Sequence, residues 1–119
     1  HAIAEGRTGD VVPTLKRLSG QGVNPTALCI AATRHFRTLH AAATHPQGPD
    51  TALARARPPV FGPRKDRLAR QARRLGANKV EKALTELMNT DLQLRSSQKP
   101  PEMALVERTF IRIAMLQRN

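Results

Sequence analysis

The sequence predicts an all-α domain, a compact bundle of about five helices. Apolar residues recur at spacings of three and four in every long segment, and no segment alternates apolar and polar residues for long enough to form a half-buried strand. The apolar content of 39% is rich in Leu and Ala, which suit helix packing better than strand packing. Proline and glycine clusters separate the helical segments, so the connections are short and an orthogonal bundle is expected.

Capping residues delimit the first two predicted helices. Asp10 is expected to cap the first helix, which ends at Gly20. Asn24 followed by Pro25 opens a second helix that continues to about Thr44. The apolar faces predicted for these helices are Val11, Leu15 and Leu18, then Leu28, Ala31, Ala32, His35, Phe36, Leu39 and Ala43.

Two further helices are expected on either side of Gly76. The third spans about 63–75 and the fourth about 77–97, because glycine commonly ends a helix. Asp91 and Arg95 lie four residues apart on the fourth helix, a spacing that favours an ion pair. The apolar positions predicted for these helices are Leu68, Ala72 and Leu75, then Val80, Leu84, Leu87, Met88 and Leu94.

The last predicted helix runs from Glu102 to about Gln117, and a single helical turn is expected earlier, at 51–55. Met103, Val106, Phe110, Ile113 and Ala114 share one face of the last helix, and four residues widen its apolar surface: Leu105, Ile111, Met115 and Leu116. A helix that is apolar over more than half its circumference lies within its own core or is pressed on a partner. These four residues are therefore candidate subunit-interface residues. The predicted core is Leu28, Phe36, Leu39, Leu84, Leu87, Val106, Phe110 and Ile113.

Positive charge is concentrated in residues 55–82. This stretch has ten basic residues against two acidic ones, Asp66 and Glu81, a net charge of +8 in a chain whose total is +11. A rigid turn at 58–63, Pro-Pro-Val-Phe-Gly-Pro, leads into its most basic part. Six cations there are candidate contacts for nucleic acid or an acidic partner: Arg64, Lys65, Arg67, Arg70, Arg73 and Arg74. A solvated face that keeps a small domain soluble is the alternative interpretation.

The composition argues against several classes of function. Trp and Tyr are absent and only three Phe are present, which disfavours a domain that stacks single-stranded bases. Cys29 is the only cysteine, so no disulfide framework or thiolate metal cluster is expected, and this usage fits a reducing cytosol. No apolar run approaches the length of a membrane span and no secretory leader is recognisable, so we expect a cytoplasmic location without membrane contact.

We find no catalytic constellation in the sequence. His35, His40 and His45 recur every five residues, which rotates each about 140° from the last on a helix, so they cannot converge on one metal. None of the nine carboxylates pairs with a His or a second acid at a spacing that supports general acid–base chemistry. No Gly-rich loop ends in Gly-Lys-Ser/Thr. The chain is therefore not expected to be an enzyme on its own, and no catalytic residue, metal or cofactor is predicted.

Five short segments carry a resemblance to a known family. They are Asn-Pro-Thr-Ala-Leu at 24–28, Arg-His-Phe-Arg-Thr-Leu at 34–39, Pro-Pro-Val-Phe-Gly-Pro-Arg-Lys-Asp at 58–66, Ala-Arg-Gln-Ala-Arg-Arg at 69–74 and Thr-Asp-Leu-Gln-Leu-Arg-Ser-Ser at 90–97. With these segments the chain resembles the C-terminal domain of the bacterial DNA polymerase III delta subunit, a clamp-loader family. The resemblance extends over most of the chain, from about Asp10 to Leu116.

This resemblance implies a non-catalytic collar domain. In that family, five such domains pack into a ring that holds the hetero-pentameric clamp loader together, and the loader opens a sliding clamp and closes it around primed DNA during replication. The delta subunit grips the clamp through an N-terminal module that this fragment lacks, and delta has no working ATP hydrolysis, although the parent holoenzyme is a DNA-directed DNA polymerase. Residues 1–9 are then expected to be the tail of a preceding helix with a linker, and 10–119 the collar domain.

Two other classes of function remain open. The first is an autonomous helical nucleic-acid-binding module that places helix 64–74 on the phosphate backbone of DNA. The second is a helical protein–protein adaptor, unrelated to replication, whose wide apolar C-terminal helix docks a partner. Salt dependence of DNA binding distinguishes the first class from the others, and co-purification with clamp-loader subunits distinguishes the collar interpretation from both.

Overall fold

Five α-helices and a short 3₁₀ segment form the part of the chain that the computed structural model describes. That part comprises residues 4–56, 59–96 and 101–118. The elements are α1 (Thr8–Gly20), α2 (Pro25–Thr44), α3 (Pro49–Ala54), α4 (Gly62–Leu94), α5 (Glu102–Met115) and the 3₁₀ segment (Leu116–Arg118). These described ranges contain no strand, and the prediction of an all-α bundle of about five helices is confirmed.

The pairing of α2 with α4 forms the centre of the bundle. The short α3 covers one end of this pair and contacts both helices. On the other side, α5 packs against α2 and α4, and α1 packs against α5. Ala4, which precedes α1, is also buried in the common core, so the chain before α1 packs on the domain.

The two predicted N-caps have different outcomes. The Asn24 side chain accepts a hydrogen bond from the backbone N–H of Ala27 at 2.7 Å, so the predicted cap of α2 is confirmed. The prediction that Asp10 caps α1 was wrong, because α1 begins at Thr8. Asp10 lies instead in the first helical turn, where its carboxylate is 3.7 Å from Nε of Arg7 and complements the positive end of the helix dipole.

A bend at Gly76 divides α4 into two arms, residues 62–75 and 77–94. Gly76 has φ 75° and ψ 162°, a backbone conformation that is essentially restricted to glycine. The sequence predicted that one helix ends at Gly76 and another follows, and the non-helical backbone at Gly76 confirms this interruption between the two arms. A straight helix of 33 residues would be about 50 Å long, which exceeds the 44 Å length of the whole molecule. The bend therefore allows both arms to pack within one small bundle.

Most of the predicted core is buried. Leu28, Phe36, Leu39, Leu87, Val106, Phe110 and Ile113 are all in the core cluster. Leu84 is only partly buried, and Met88, which was predicted to be buried, is 59% exposed. The buried stripe of the second arm is instead Val80, Ala83, Leu87, Thr90 and Leu94, at alternating spacings of three and four. Val80, Leu87 and Leu94 of the predicted set are confirmed, whereas a prediction based on large apolar side chains missed Ala83 and Thr90.

The apolar breadth of α5 is largely used inside the bundle. Six of its residues are buried: Leu105, Val106, Thr109, Phe110, Ile113 and Ala114. The hydroxyl oxygens of Thr109 and Thr90 are 2.6 Å apart, so a buried hydrogen bond joins α5 to α4 at this point. Each of these threonines also lies within hydrogen-bond distance of a carbonyl of its own helix, that of Leu105 or of Glu86. The pair is thus satisfied without water.

Replacement of Gly76 by Ala should test the backbone constraint at the bend. No atom outside the glycine's immediate surroundings lies within 4 Å of the position that a Cβ would occupy, so the expected penalty comes from φ alone. We expect Gly76→Ala to lower the free energy of unfolding by about 1–3 kcal/mol, measured by urea denaturation. Gly9→Ala is the matched control, since Gly9 is helical and equally open, and it should leave stability unchanged or raise it by up to about 1 kcal/mol. Equal stability of the Gly76→Ala and native proteins would contradict the constraint.

Candidate functional site

The turn before α4 fixes where the basic arm begins. The backbone N–H of Val60 donates to the carbonyl of Leu53 at 3.0 Å, and the Val60 side chain is buried, so the turn is fastened to the end of α3. Phe61 precedes the helix in an extended conformation and is 70% exposed. Gly62 has φ +65°, and Pro63 follows in the first turn of the helix. Residue 58 lies outside the described ranges.

The inward face of the first arm fixes the direction of its cations. Leu68, Ala69, Ala72 and Leu75 are buried against the core. The predicted apolar seam of this arm is confirmed, and Ala69 widens it. Because one side of the helix is committed to the core, the remaining circumference must face solvent, and that is where the basic side chains lie.

The structure places five of the six candidate cations on the exposed surface and leaves Lys65 half-buried. Arg73 forms an ion pair with Asp50 of α3, and Nη2 of Arg74 donates to the backbone carbonyl of Glu5 at 2.7 Å. The other four have no ion pair with any residue that the structure describes: Arg64, Lys65, Arg67 and Arg70. The basic arm therefore presents five cations that have no carboxylate partner within these ranges, and four of them also lack the hydrogen bond to a backbone carbonyl that Arg74 makes.

A polar network that the sequence did not predict lies beneath these cations. Gln71 is 4% exposed although it lies between apolar positions of the arm. Its amide nitrogen donates to Oε2 of Glu5 at 2.9 Å, and its amide oxygen lies 2.8 Å from Nε2 of His35. Oε1 of Glu5 is in turn 3.1 Å from Nη2 of Arg7. The network thus joins α2, α4 and the segment before α1.

The direction of the hydrogen bonds assigns the proton on His35. Because the Gln71 nitrogen is used toward Glu5, its oxygen faces His35 and can only accept, so Nε2 of His35 carries the hydrogen. Burial lowers the pKa of His35, and the hydrogen bond to Gln71 opposes this only in part. Burial also raises the pKa of Glu5, while the hydrogen bond from Gln71 and the charge of Arg7 contribute to a net lowering. Near neutral pH the pair is therefore a neutral imidazole and a carboxylate.

The same network forms one wall of a cleft beside the basic arm. Six residues line this cleft: Glu5, Arg7, Arg67, Arg70, Gln71 and Arg74. The Glu5 carboxylate is engaged by Gln71 and Arg7 and forms no ion pair with Arg67 or Arg70. This arrangement suits a phosphate or carboxylate group of a partner, which two guanidinium groups can bind through charge-assisted hydrogen bonds.

The other reactive side chains singled out in the sequence have structural partners. The Cys29 thiol is buried and its sulfur lies 3.6 Å from the carbonyl oxygen of Leu87, and burial raises its pKa. Nε2 of His40 is 3.1 Å from Oε2 of Glu81, and Nδ1 of His45 accepts from the backbone of Gln47. Within the described residues, no group of three or more His, Cys, Asp or Glu side chains is arranged to hold a metal ion.

The four interface candidates on α5 and the 3₁₀ segment are not equally accessible. Leu105 belongs to the core, and Ile111 and Leu116 are partly buried against it. Met115 is 48% exposed and is the member of this set that extends into solvent. The predicted interface remains a prediction, and Met115 is the residue that can carry it.

A second exposed apolar surface was not predicted from the sequence. Ile30 on α2 and Met88 and Leu92 on α4 are all substantially exposed. Ile30 and Met88 line a groove between the two helices, together with Leu84. Periodicity alone gave Met88 a buried position, so only the packing of α4 shows that this surface exists.

Comparisons with known proteins identify no relative. No protein-family model, curated protein or solved structure matches the chain.

Among the residues that the structure describes, no helix is both long enough and apolar enough to cross a bilayer.

The lowered pKa of His35 predicts a pH dependence of stability. Because the folded state binds the His35 proton less tightly than the unfolded chain, stability should be full above about pH 6.5 and fall as the pH decreases below that value. We expect a lower urea midpoint at about pH 5.5 than at about pH 7.5. Glu5 titrates in a more acidic range, so its contribution is separable. The difference should shrink in His35→Gln, and an equal pH dependence of the variant and native proteins would refute the assignment.

Proposed function

We propose that the chain is a non-catalytic collar domain of the bacterial DNA polymerase III delta subunit. In this role it helps to assemble the hetero-pentameric clamp loader, which opens the sliding clamp and loads it on primed DNA in the cytoplasm. Contact with the clamp belongs to an N-terminal region outside this chain. The proposal rests on the resemblance in sequence, and it is consistent with an all-α bundle of five helices.

The observation that carries the proposal is the place of the resembling segments in the fold. Asn24 caps α2, Phe36 is fully buried at the centre of that helix, and Val60 fastens the proline-rich turn to α3. The Ala-Arg-Gln-Ala-Arg-Arg segment is the basic arm, with Gln71 at the centre of the polar network. These four segments thus occur where their residue types have a definite structural role, as expected for a motif that reflects a fold.

The exposed parts of the structure suit assembly with other proteins. Met115 on α5 and the cations of the basic arm are exposed groups that a neighbouring subunit could cover, the first by apolar contact and the second by charge. An adaptor that docks its partner through the whole of α5 is less well supported, since most of the apolar width of α5 lies inside the bundle.

Assembly can be tested with a variant of Met115. Co-expressed with the other clamp-loader subunits of the same source, the chain should be incorporated into a pentamer that native mass spectrometry detects. We expect Met115→Glu to abolish incorporation while leaving the circular dichroism spectrum unchanged, because a charge at a half-exposed apolar contact must be desolvated in the interface. Gln21→Glu, at an exposed site after α1, is the control and should assemble normally. A chain that stays monomeric with all the subunits present would contradict the collar proposal.

A second candidate function is phosphate binding by the basic arm as an autonomous module. The observation in its favour is the group of four cations that have neither an ion pair nor a side-chain hydrogen bond with any described residue. Two of them, Arg67 and Arg70, also line the cleft beside Gln71. Such binding would be weak and independent of sequence, because contacts to phosphates carry no base information.

Salt dependence measures how many phosphates the arm neutralises. We expect Arg67→Ala combined with Arg70→Ala to flatten the slope of log K against log salt for duplex DNA by about two units, since each phosphate that is no longer neutralised reduces the slope by about 0.9. The matched control is Arg17→Ala combined with Arg108→Ala, which removes two exposed cations from α1 and α5. Equal slopes for both double variants would show that attraction comes from overall charge rather than from the basic arm.

A further inference from the structure

The groove between α2 and the second arm of α4 has a definite helical register. Ile30, Arg34 and Arg37 line it from α2, at spacings of four and three. Leu84, Met88 and Asp91 line it from α4, and Arg95 lines it directly after the helix, again at spacings of four, three and four. Leu84 and Arg95 are eleven positions apart, so at about 1.5 Å per residue the α4 side of the groove is about 16 Å long, or three helical turns.

The floor of the groove is apolar and its hydroxyl groups are already bonded. Ile30 is 42% exposed and Met88 is 59% exposed, and Leu92 extends the apolar edge one turn beyond Met88. Thr33 and Thr85 also line the groove, but their hydroxyls donate to carbonyls of their own helices at 2.8 and 3.0 Å. The floor therefore makes apolar contacts with a ligand, because its threonine hydroxyls already donate their hydrogens within the chain.

The rim of the groove is positively charged. Arg34 and Arg37 have no ion pair with any residue that the structure describes. Arg95 is paired with Asp91 at 3.1 Å, so these two charges cancel locally. Two uncompensated cations thus flank exposed apolar side chains along a groove of helical pitch.

We propose that the groove between α2 and α4 binds an acidic amphipathic helix of another protein. An apolar face with side chains at i, i+3 or i+4, and i+7 fits between the two helices and covers Ile30, Met88 and Leu92. Carboxylates flanking that face meet Arg34 and Arg37, which supplies charge complementarity and orientation. The groove length of about three turns matches a short helical segment rather than a whole domain.

A second copy of this chain does not have the required chemistry. Each copy has a net charge of +11, so two copies repel one another. On α4, the carboxylates of Glu81, Glu86 and Asp91 are paired within the chain, with His40, Arg112 and Arg95. Asp66 is a single carboxylate among the cations of the basic arm, so α4 has no acidic face to offer a second copy. The acidic helix must therefore come from a different polypeptide.

A nucleic acid also fits this groove less well than an acidic helix. Phosphates would use the arginines of the rim but would leave the apolar floor uncovered, and none of the described residues that line the groove is aromatic and able to stack on a base. The basic arm, where cations lie without exposed aliphatic neighbours in the cleft, is the better surface for phosphates. The two surfaces are thus chemically distinct.

Binding of an acidic helix goes beyond the proposed function and does not depend on it. The groove lies on α2 and α4, whereas the predicted subunit contact is Met115 on α5. The groove can therefore bind or fail to bind such a helix whether or not the chain assembles into a clamp loader.

The test uses a synthetic helical peptide as the probe. A fluorescein-labelled peptide of about 15 residues, long enough to form an isolated helix, carries Leu at i, i+4, i+7 and i+11 and Glu on both flanks. Fluorescence anisotropy with the full chain should show saturable binding that weakens as salt is raised. A peptide with Lys in place of every Glu, and a scrambled peptide that keeps the composition but has no apolar face, should both bind at least about tenfold more weakly.

Matched variants locate the site on the chain. Met88→Glu should weaken binding of the acidic peptide by about tenfold or more, and Arg34→Glu combined with Arg37→Glu should do the same at low salt. Two variants are the controls: the single variant Met115→Glu, and the double variant that combines Arg17→Glu with Arg108→Glu. They make comparable changes on exposed parts of α5 and α1, so each should change the affinity for the peptide by less than about threefold. An unchanged thermal melt verifies that each variant is folded.

Three results would overturn the proposal. The first is equal affinity for the acidic and the Lys-containing peptides, which would show that charge does not select the ligand. The second is unchanged binding by Met88→Glu, which would place the peptide elsewhere. The third is a DNA oligonucleotide whose affinity falls with Met88→Glu while the acidic peptide does not bind, which would make nucleic acid the occupant of the groove.

Discussion

The packing of both arms of α4 against α2 is the constraint on which the rest of the structure depends. His35 of α2 meets Gln71 of the first arm, and Cys29 meets Leu87 of the second. The helix α2 can contact both arms because the backbone of α4 leaves the helical conformation at Gly76 and bends there. The bend separates the exposed surface into two regions, a basic one on the first arm and an apolar one with a basic rim on the second. The two surfaces are thus separated at a single backbone position.

Local signals predicted the elements well, and long-range contacts decided the rest. The cap at Asn24, the end of α2 at Thr44 and the interruption at Gly76 all follow from short-range chemistry. The exposure of Met88 does not follow from short-range chemistry. It depends on how the second arm is rotated in the bundle, and that rotation buries Ala83 and Thr90 instead. The buried Gln71 could have been noticed as a polar residue between apolar positions, but its partners lie 36 and 66 residues away in the sequence.

The candidate site was predicted in its composition but not in its pairing. The concentration of cations after the proline-rich turn is visible in the sequence, and the structure places most of them on the surface. Which of them remain without a partner among the described residues depends on the Asp50 carboxylate and on the backbone carbonyl of Glu5, whose positions only the fold determines. The apolar groove was not predicted at all, since an exposed Met and a buried Met give the same periodicity. Charge on a helix can be counted in advance, whereas accessibility is a property of the assembled bundle.

The burial of Cys29 has a practical consequence for spectroscopy. Its sulfur is enclosed beside the carbonyl of Leu87, and burial raises the pKa of the thiol, so little reactive thiolate forms near neutral pH. In the folded protein, Cys29 should thus react very slowly with maleimide and iodoacetamide reagents. A cysteine introduced on the surface would then be labelled selectively without removal of the natural one. Single-site fluorophores or spin labels can accordingly be attached to either arm of α4 in an otherwise unaltered protein.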